Sequence, residues 1–598
     1  MENKKIYAYI GVVFLLIITV SFSYAYFNIK VTGNDISKNM VVEVGTLKLT
    51  YTDSPQIVAN NIKPGWSTTK VVTIKNTGTL DTAYNIIWQE LTNTIFKNEL
   101  VISATCKRLN ASGAVEGTCE PIDELPVRAK RIAKNISIES GFTHEYTFTF
   151  LFKETNSSQD YNQGKEFNGV LGIEEYKDTA VYCTFDGELK QGAVYVNGQY
   201  TYAYKQQGNY ALSRLDWSNI SNDGWGVQLT DRNSTEPVTS KLCTYINNKP
   251  VVSMSHMFLN SKATIIDLSN FDTSNVTDMS YMFDSSQATT LDVSNFDTSN
   301  VTNMLRMFYE SQATTLDVSN FDTSNVTDMR YMFSCQATTL NLSNFDTSKV
   351  TRMGFMFRNS QATTLDLSSF DTSNVTDMAA MFINSKATTL DLSNFDTSKV
   401  TSMGSMFRDS QVTTLDVSNF DTSKVTSMGS MFRDSQATTL DVNNFDTSNV
   451  TDMSYMFYKS QATTLDVNNF DTSNVTNMSY MFSNSQATTL DVSNFDTSNV
   501  TNMSDMFYKS QATALDLSNF DTSKVTDMSF MFSDAANLKA IYTGSKFNTN
   551  NVTSSTYMFR NCTNLVGGAG TKYDSSKVDK TYARIDGGTS NPGYFTSK

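Results

Sequence analysis

The feature that most constrains this chain is a stretch that recurs, lightly edited, every 25 residues. The copy ATTLDVSNFDTSNVTNMLRMFYESQ occupies residues 288–312, and the next begins at Ala313. One phenylalanine marks the period at Phe271, Phe296, Phe321, Phe345, Phe370, Phe395, Phe420, Phe445, Phe470, Phe495 and Phe520; only the step ending at Phe345 is 24 residues. A unit this short cannot bury a core by itself. Copies must stack, so residues 251–568 predict a solenoid.

Inside one copy the parts assign themselves. Leu291 and Val293 alternate with Thr290, Asp292 and Ser294, the pattern of a short strand with one buried face. The segment DTSN after Phe296 is turn chemistry. Val301 turns inward again, and Met304, Met307 and Phe308 follow at i, i+3 and i+4. That spacing predicts a short helix, with Thr302 as its cap. Stacking then gives parallel strands on one face and short helices on the other. The methionines stack on their equivalents as core.

The outward strand residues make a candidate site. Asp292 repeats as Asp317, Asp366, Asp391, Asp416, Asp441, Asp466 and Asp491. Like charges one strand apart repel; either solvent and salt screen them, or a cation such as calcium sits between them. Thr290, Asp292, Ser294, Thr315, Asp317 and Ser319 form the expected ligand-binding face. A second acidic row, Asp272, Asp297 and Asp322 onward, reads as backbone capping. The most varied positions follow the first methionine, as in Leu305-Arg306, Arg330-Tyr331, Gly354-Phe355 and Ala379-Ala380. They are expected on a convex side as tolerated change. Long identical text between neighbouring copies suggests that repeat number varies between strains.

Residues 28–177 alternate apolar and polar in short runs such as VVEVGTLKLTYT and HEYTFTFLFK, which predicts an antiparallel β-sandwich. Cys106 and Cys119 flank a turn there and read either as a hairpin disulfide or as two thiols. Residues 178–250 form a smaller β-rich unit with a strong hairpin signal, AVYVNGQYTYAY. Cys183 and Cys243 bracket it as a second disulfide candidate. Its aromatics Tyr200, Tyr202, Tyr204, Trp217 and Trp225 are expected as core in preference to a ligand platform. The unit caps the first coil, and residues 569–598 cap the last. At residues 1–27, Lys4 and Lys5 precede an uncharged run ending near the small residues Ser23 and Ala25. This is an export signal cleaved after Ala25 or a retained membrane anchor. Both place the rest outside the cytoplasm.

A net charge of −14 argues against a nucleic-acid partner. No Cys-x-x-Cys occurs, and His144 and His256 lie far apart. No nucleophile–base pair, phosphate loop or paired-carboxylate site stands out, so no enzyme and no resident cofactor is expected.

Two resemblances add to this reading. IDLSNFDTSNVTDMSYMF at 266–283, MFSDAANLKAI at 531–541, MFRNCTNL at 558–565 and ARIDGGTSNPGYFT at 583–596 resemble the BspA-like leucine-rich-repeat surface proteins of bacteria. Most copies here read SQATTL where that group has Cys-x-x-Leu. IKPGWSTTKVVTIKNTGTLDTAYNI at 62–86 and YNQGKEFNGVLGI at 161–173 resemble the secreted TasA and camelysin family of Gram-positive bacteria. That resemblance implies an Ig-like or jelly-roll sandwich. It carries no protease assignment, because no His-Glu-x-x-His occurs. The expectation is a cell-surface or secreted adhesin-like protein that binds an extracellular protein or glycan, such as host matrix. The alternative is an envelope or biofilm-matrix component whose sandwich assembles and whose solenoid is a spacer.

Overall fold

The computed structural model describes residues 27–598 apart from 33–39, 45–46, 96–98, 120, 123–126, 128–130, 156–158, 160–161, 177–179, 207, 214–215 and 221–222. The expected export signal or anchor lies outside the described residues, save Phe27. Among the described residues no helix is long and apolar enough to cross a membrane. The chain divides into two compact units, Met1–Asp178 and Thr179–Lys598.

Among the described residues the first unit holds ten strands: β1 (Phe27–Thr32), β2 (Met40–Val44), β3 (Leu47–Asp53), β4 (Ile57–Ile62), β5 (Ser67–Asn76), β6 (Thr82–Asn93), β7 (Leu100–Leu109), β8 (Arg131–Ile138), β9 (Thr143–Phe152) and β10 (Glu166–Glu175). They form two five-stranded sheets, ordered β4-β1-β10-β6-β8 and β2-β3-β5-β9-β7. Alternation along β9 turns His144, Tyr146, Phe148, Phe150 and Phe152 inward. They share one core with Tyr84, Ile86 and Trp88 of β6. Gly169 is required here, because a Cβ would lie 2.7 Å from the Trp88 ring. Cys106 and Cys119 are disulfide-bonded, with Cα atoms 5.2 Å apart.

The second unit begins with a six-stranded sheet. Its strands are β11 (Tyr182–Cys183), β12 (Val194–Asn197), β13 (Tyr200–Lys205), β16 (Gly224–Leu229), β17 (Tyr245–Ile246) and β18 (Lys249–Ser253), in the order β11-β17-β18-β16-β13-β12. A hairpin of β14 (Gly208–Ser213) and β15 (Asp216–Ile220) stands apart from it. Tyr200, Tyr202, Tyr204 and Trp225 are buried in a core that runs without a break into the repeats. The side chain of Trp217 lies outside the described residues. Cys183 and Cys243 are disulfide-bonded. These residues are therefore the first layer of the repeat stack, not a separate lid: Tyr200 meets Phe271 edge-on at 6.2 Å.

Each coil buries nearly the same set, for example Leu291, Val293, Phe296, Val301, Met304, Met307 and Phe308, with Leu390 and Phe547 only partly buried at their copies. The secondary structure around that core differs from the expectation in two ways. First, Met304–Phe308 is not a helix. Alternate amides leave the coil: Met304, Arg306, Phe308 and Glu310 donate to the carbonyls of Asp328, Arg330, Met332 and Ser334 in the next coil. The amides between them close tight turns, Met307 to Met304 and Tyr309 to Arg306. Arg306 and Glu310 sit at φ of 56° and 51°, which an α-helix forbids. An i, i+3, i+4 apolar spacing suits successive turns as well as it suits a helix. Thr302 caps nothing; its amide and hydroxyl both donate back to Thr277.

Second, the parallel sheet is reduced to rails of single bridges. One bridge set joins Thr290 to Thr315 and Thr364 to Thr389, Thr389 to Thr414 and Thr414 to Thr439. The other is continuous from Ser253 through Asp278, Asn303, Asp328, Arg352 and onward to Ser554. Side chains supply bonds that a ladder would make with backbone. Thr298, buried, donates its hydroxyl to the Asp322 carbonyl at 2.9 Å and accepts from the Asp322 amide at 2.8 Å. Asn320 donates its amide to the carbonyls of Val293 and Phe296. Longer strand registers return near the end, where β19 (Ala514–Leu517) pairs with β20 (Ala540–Thr543) over four residues and β20 with β21 (Phe595–Ser597) over three. Tyr594 and Phe595 are buried there against Phe559.

Candidate binding surface

The expected strand face is where the alternation put it. Thr290, Asp292, Ser294, Thr315 and Asp317 are exposed and Ser319 is half-buried. Asp366, Asp391, Asp416, Asp441, Asp466 and Asp491 are exposed too. Each carboxylate of the row is engaged by its own coil. Asp292 accepts from the Ser294 amide at 3.1 Å, and Asp416 accepts from both the amide and the hydroxyl of Ser418. The same turn recurs at Asp317, Asp366, Asp391, Asp441, Asp466 and Asp491. These bonds favour the anion and lower the pKa of Asp292 and Asp416. The row is a repeated turn lock.

The second acidic row behaves likewise. Asp297 accepts from Ser299 and Asp322 from Ser324. Burial raises the Asp322 pKa against that bond, helped by the neighbouring charges of Asp346 and Asp297.

The opposite surface is richer. The second residue after each coil's first methionine, or after Ser555 in the last coil, has φ between 53° and 62° from His256 to Tyr557. This repeated left-handed position sets its side chains in a single file, termed the turn row, mostly half-buried, with His256, Ala380 and Asp505 buried. Here rings stack: His256 on Tyr281 at 4.5 Å, Tyr331 on Phe355 at 4.4 Å, and Tyr455 on Tyr480 at 4.4 Å. Between the first two pairs stands Arg306, its guanidinium 5.2 Å from the Tyr281 ring and 3.8 Å from Tyr309, with Nε 2.8 Å from Asp284. Arg433 lies 5.1 Å from both Tyr455 and Tyr458.

Equivalent interior phenylalanines are farther apart than these stacked pairs, Phe283 and Phe308 at 5.6 Å and Phe271 and Phe296 at 6.4 Å. Beside the row, a cavity of about 510 Å³ opens between coils, lined among others by Arg358, Asn384, Arg408, Asp409, Gln411 and Asp434. Sequence reasoning missed this surface because it took variation as tolerance. The usable signal was the kind of variation: aromatic and basic residues at one repeated position.

Among the described residues, one group of potential metal ligands converges, in the first unit: Cys106, Cys119 and His144, with ligand-type atoms within 4.8 Å of one another. The two cysteines are joined, and His144 Nδ1 lies 2.8 Å from the Tyr84 hydroxyl. Burial brings His144 down to about 4, so it is neutral core.

Coils fastened to one another along rails, none able to close alone, define a β-rich repeat protein. Residues 233–340, 311–414, 334–438, 385–491 and 484–591 match the family described as Mycoplasma protein of unknown function, DUF285. The matches run together over more than half of the chain, and the chain belongs to that family. Residues 4–99 are similar to the family described as Camelysin metallo-endopeptidase. No curated protein and no solved structure matches the chain.

Proposed function

We propose that this is a non-enzymatic binding protein of the cell exterior, adhesin-like, with the repeat array as its recognition surface and an extracellular protein or glycan as its ligand. One observation carries the reading. Buried positions are nearly the same in every coil, whereas the turn row changes from ring to cation to small residue while its backbone stays fixed. A rigid frame with a varied, partly exposed file is the architecture of a recognition surface. The sequence resemblance to BspA-like surface proteins supports the location, as does the uncharged N-terminal run. Labelled chain beginning at residue 28, offered to immobilised extracellular matrix proteins and polysaccharides, is expected to bind saturably. Tyr331→Ser and Tyr455→Ser are expected to weaken that binding roughly tenfold, the loss of one well-used ring contact. Absence of saturable binding to every surface would sink the reading.

A further inference from the structure

The repeat stack has an open end. Ser253 of β18 is bridged on one side to Asp278 of the next coil and on the other to Gly226 of β16. From β16 the sheet continues outward to β13 and then to β12. β12 is therefore the last layer on the side away from the repeats, and it is an edge strand. Its register with β13 fixes which backbone groups are left over. The Tyr204 amide donates to the Ala193 carbonyl at 2.8 Å, and bonded residues alternate along an antiparallel pair. Tyr195 and Asn197 accordingly bond to β13, whereas Val194 and Val196 aim N–H and C=O away from it.

The side chains of the same two valines are each 56% exposed. No charge and no proline stands in the strand, VYVN, to keep another strand off. Among the described residues of the second unit, strongly exposed large apolar side chains occur at 182–265 and at 557–585, the two ends of the stack, and the coils between have none. The strand is also held ready for a partner. Tyr195 packs on Phe185 and Tyr202, at 6.0 and 5.8 Å between ring centres, and Asn197 donates its amide to the Cys243 sulfur at 2.9 Å.

We propose that β12 docks on β12 of a second copy of this chain, closing a two-fold dimer at the N-terminal end of the stack. The inference is separate from ligand binding and does not depend on it. The occupant is a second copy because the segment Val194-Tyr195-Val196 is its own complement. Antiparallel pairing about an axis at Tyr195 sets Val194 of one copy opposite Val196 of the other, and the reverse. Both are bonded pairs, so every outward N–H and C=O of the two valines finds a partner, and the valines of both copies meet on one face. The contact continues an interface the chain already uses, since it adds a layer to the sheet that runs on into the coils. A net charge of −14 makes copies repel over most of their surface, and β12 is uncharged. A strand pair this short falls below the roughly 1,200 Å² of a stable interface, so the dimer is weak and exchanges with monomer.

Sedimentation of the chain from residue 28 tests this. Its mass is expected to rise from monomer toward dimer between about 1 µM and about 1 mM. Val196→Lys puts a charge on the exposed edge and is expected to keep the melting temperature while weakening dimerisation at least roughly tenfold. Cross-linking reads the register directly and serves even where that variant loses stability. Mixed Val194→Cys and Val196→Cys chains are expected to form a disulfide-linked dimer on mild oxidation, because opposed residues lie about 5.5 Å apart at Cα. Val194→Cys alone is expected to cross-link roughly tenfold less, because its two copies sit out of register, beyond the about 7 Å a disulfide spans. Monomer at every concentration, unchanged dimerisation in Val196→Lys, or equal cross-linking of Val194→Cys alone overturns the proposal. Association that Val196→Lys leaves intact would assign the contact to another surface, such as the far end of the stack.

Discussion

The two units start from the same alternating text and solve the backbone differently. In the sandwich, β9 pairs along its whole length with β5 on one side and β7 on the other, backbone to backbone. In the array, coils meet through isolated bridges and alternate backbone amides, and threonine hydroxyls and asparagine amides complete the bonding. The sandwich encodes its fold mainly in which residues are apolar. The array encodes it as much in its small polar residues. A defect in the sandwich reaches strands distant in sequence, whereas a defect in the array reaches only neighbouring coils.

Four measurements would break or sharpen that contrast. The largest effects come from emptying each core. Phe382→Ala and Phe148→Ala remove fully buried rings and should each cost about 3–5 kcal/mol. Hydrogen exchange should then show lost protection confined to coils near Phe382, but spread over both sheets for Phe148. Uniform loss across the array would make it a single cooperative block.

Next is the polar lock. Thr372 is buried and bridges both backbone groups of Asp396, at 2.9 and 2.8 Å. Thr372→Val keeps the shape and strands both groups, at about 2–3 kcal/mol. Thr147→Val, on a strand already paired by backbone, should stay within about 0.5 kcal/mol. Denaturant midpoints that moved equally would erase the distinction.

Acid should act on both units alike. Burial lowers His144 and His256 to about 4 from 6.5. Below 6.5 the unfolded chain takes up protons that the folded one refuses, so stability is full above about 6.5 and falls as pH drops toward 4. The loss should reach about 2 kcal/mol per histidine. The groups facing His256 are Arg232, Lys205 and Arg306, all cationic, and they act in the same direction as burial. Imidazole signals titrating near 6.5 in the folded chain would refute it.

The smallest effect belongs to the acidic row. Asp416→Ala removes an acceptor from Ser418 and should destabilise by about 0.5 kcal/mol. Relief of like-charge repulsion alone would give the opposite sign. Because each carboxylate is already used by its own coil, a chelator should leave the melting temperature unchanged. A calcium-dependent rise would restore the cation ladder.

Much of the array was legible in the sequence. Leu291, Val293, Phe296, Val301, Met304, Met307 and Phe308 are all buried, as the pattern of one copy demanded. What hid was the backbone. Nothing in an apolar period distinguishes a helical turn from a left-handed tight turn, and Tyr281 or Arg306 does not advertise a positive φ as glycine would. Thr298 read as loop chemistry because its bonding partner lies in the next coil. The turn row was visible as letters and misjudged as noise. Its stacking is a contact between neighbouring coils, and no single copy contains it.

The continuous rail from Ser253 to Ser554 has a mechanical side. Its bonds point along the direction of stacking, so tension on the two ends of the array loads them coil by coil and not all at once. Each coil that lets go releases 25 residues, roughly 85 Å of extended chain. The 24-residue copy keeps its place on the rail, since Asp328 still bridges Arg352. A tether built this way lengthens in steps under load, and force spectroscopy would count its coils.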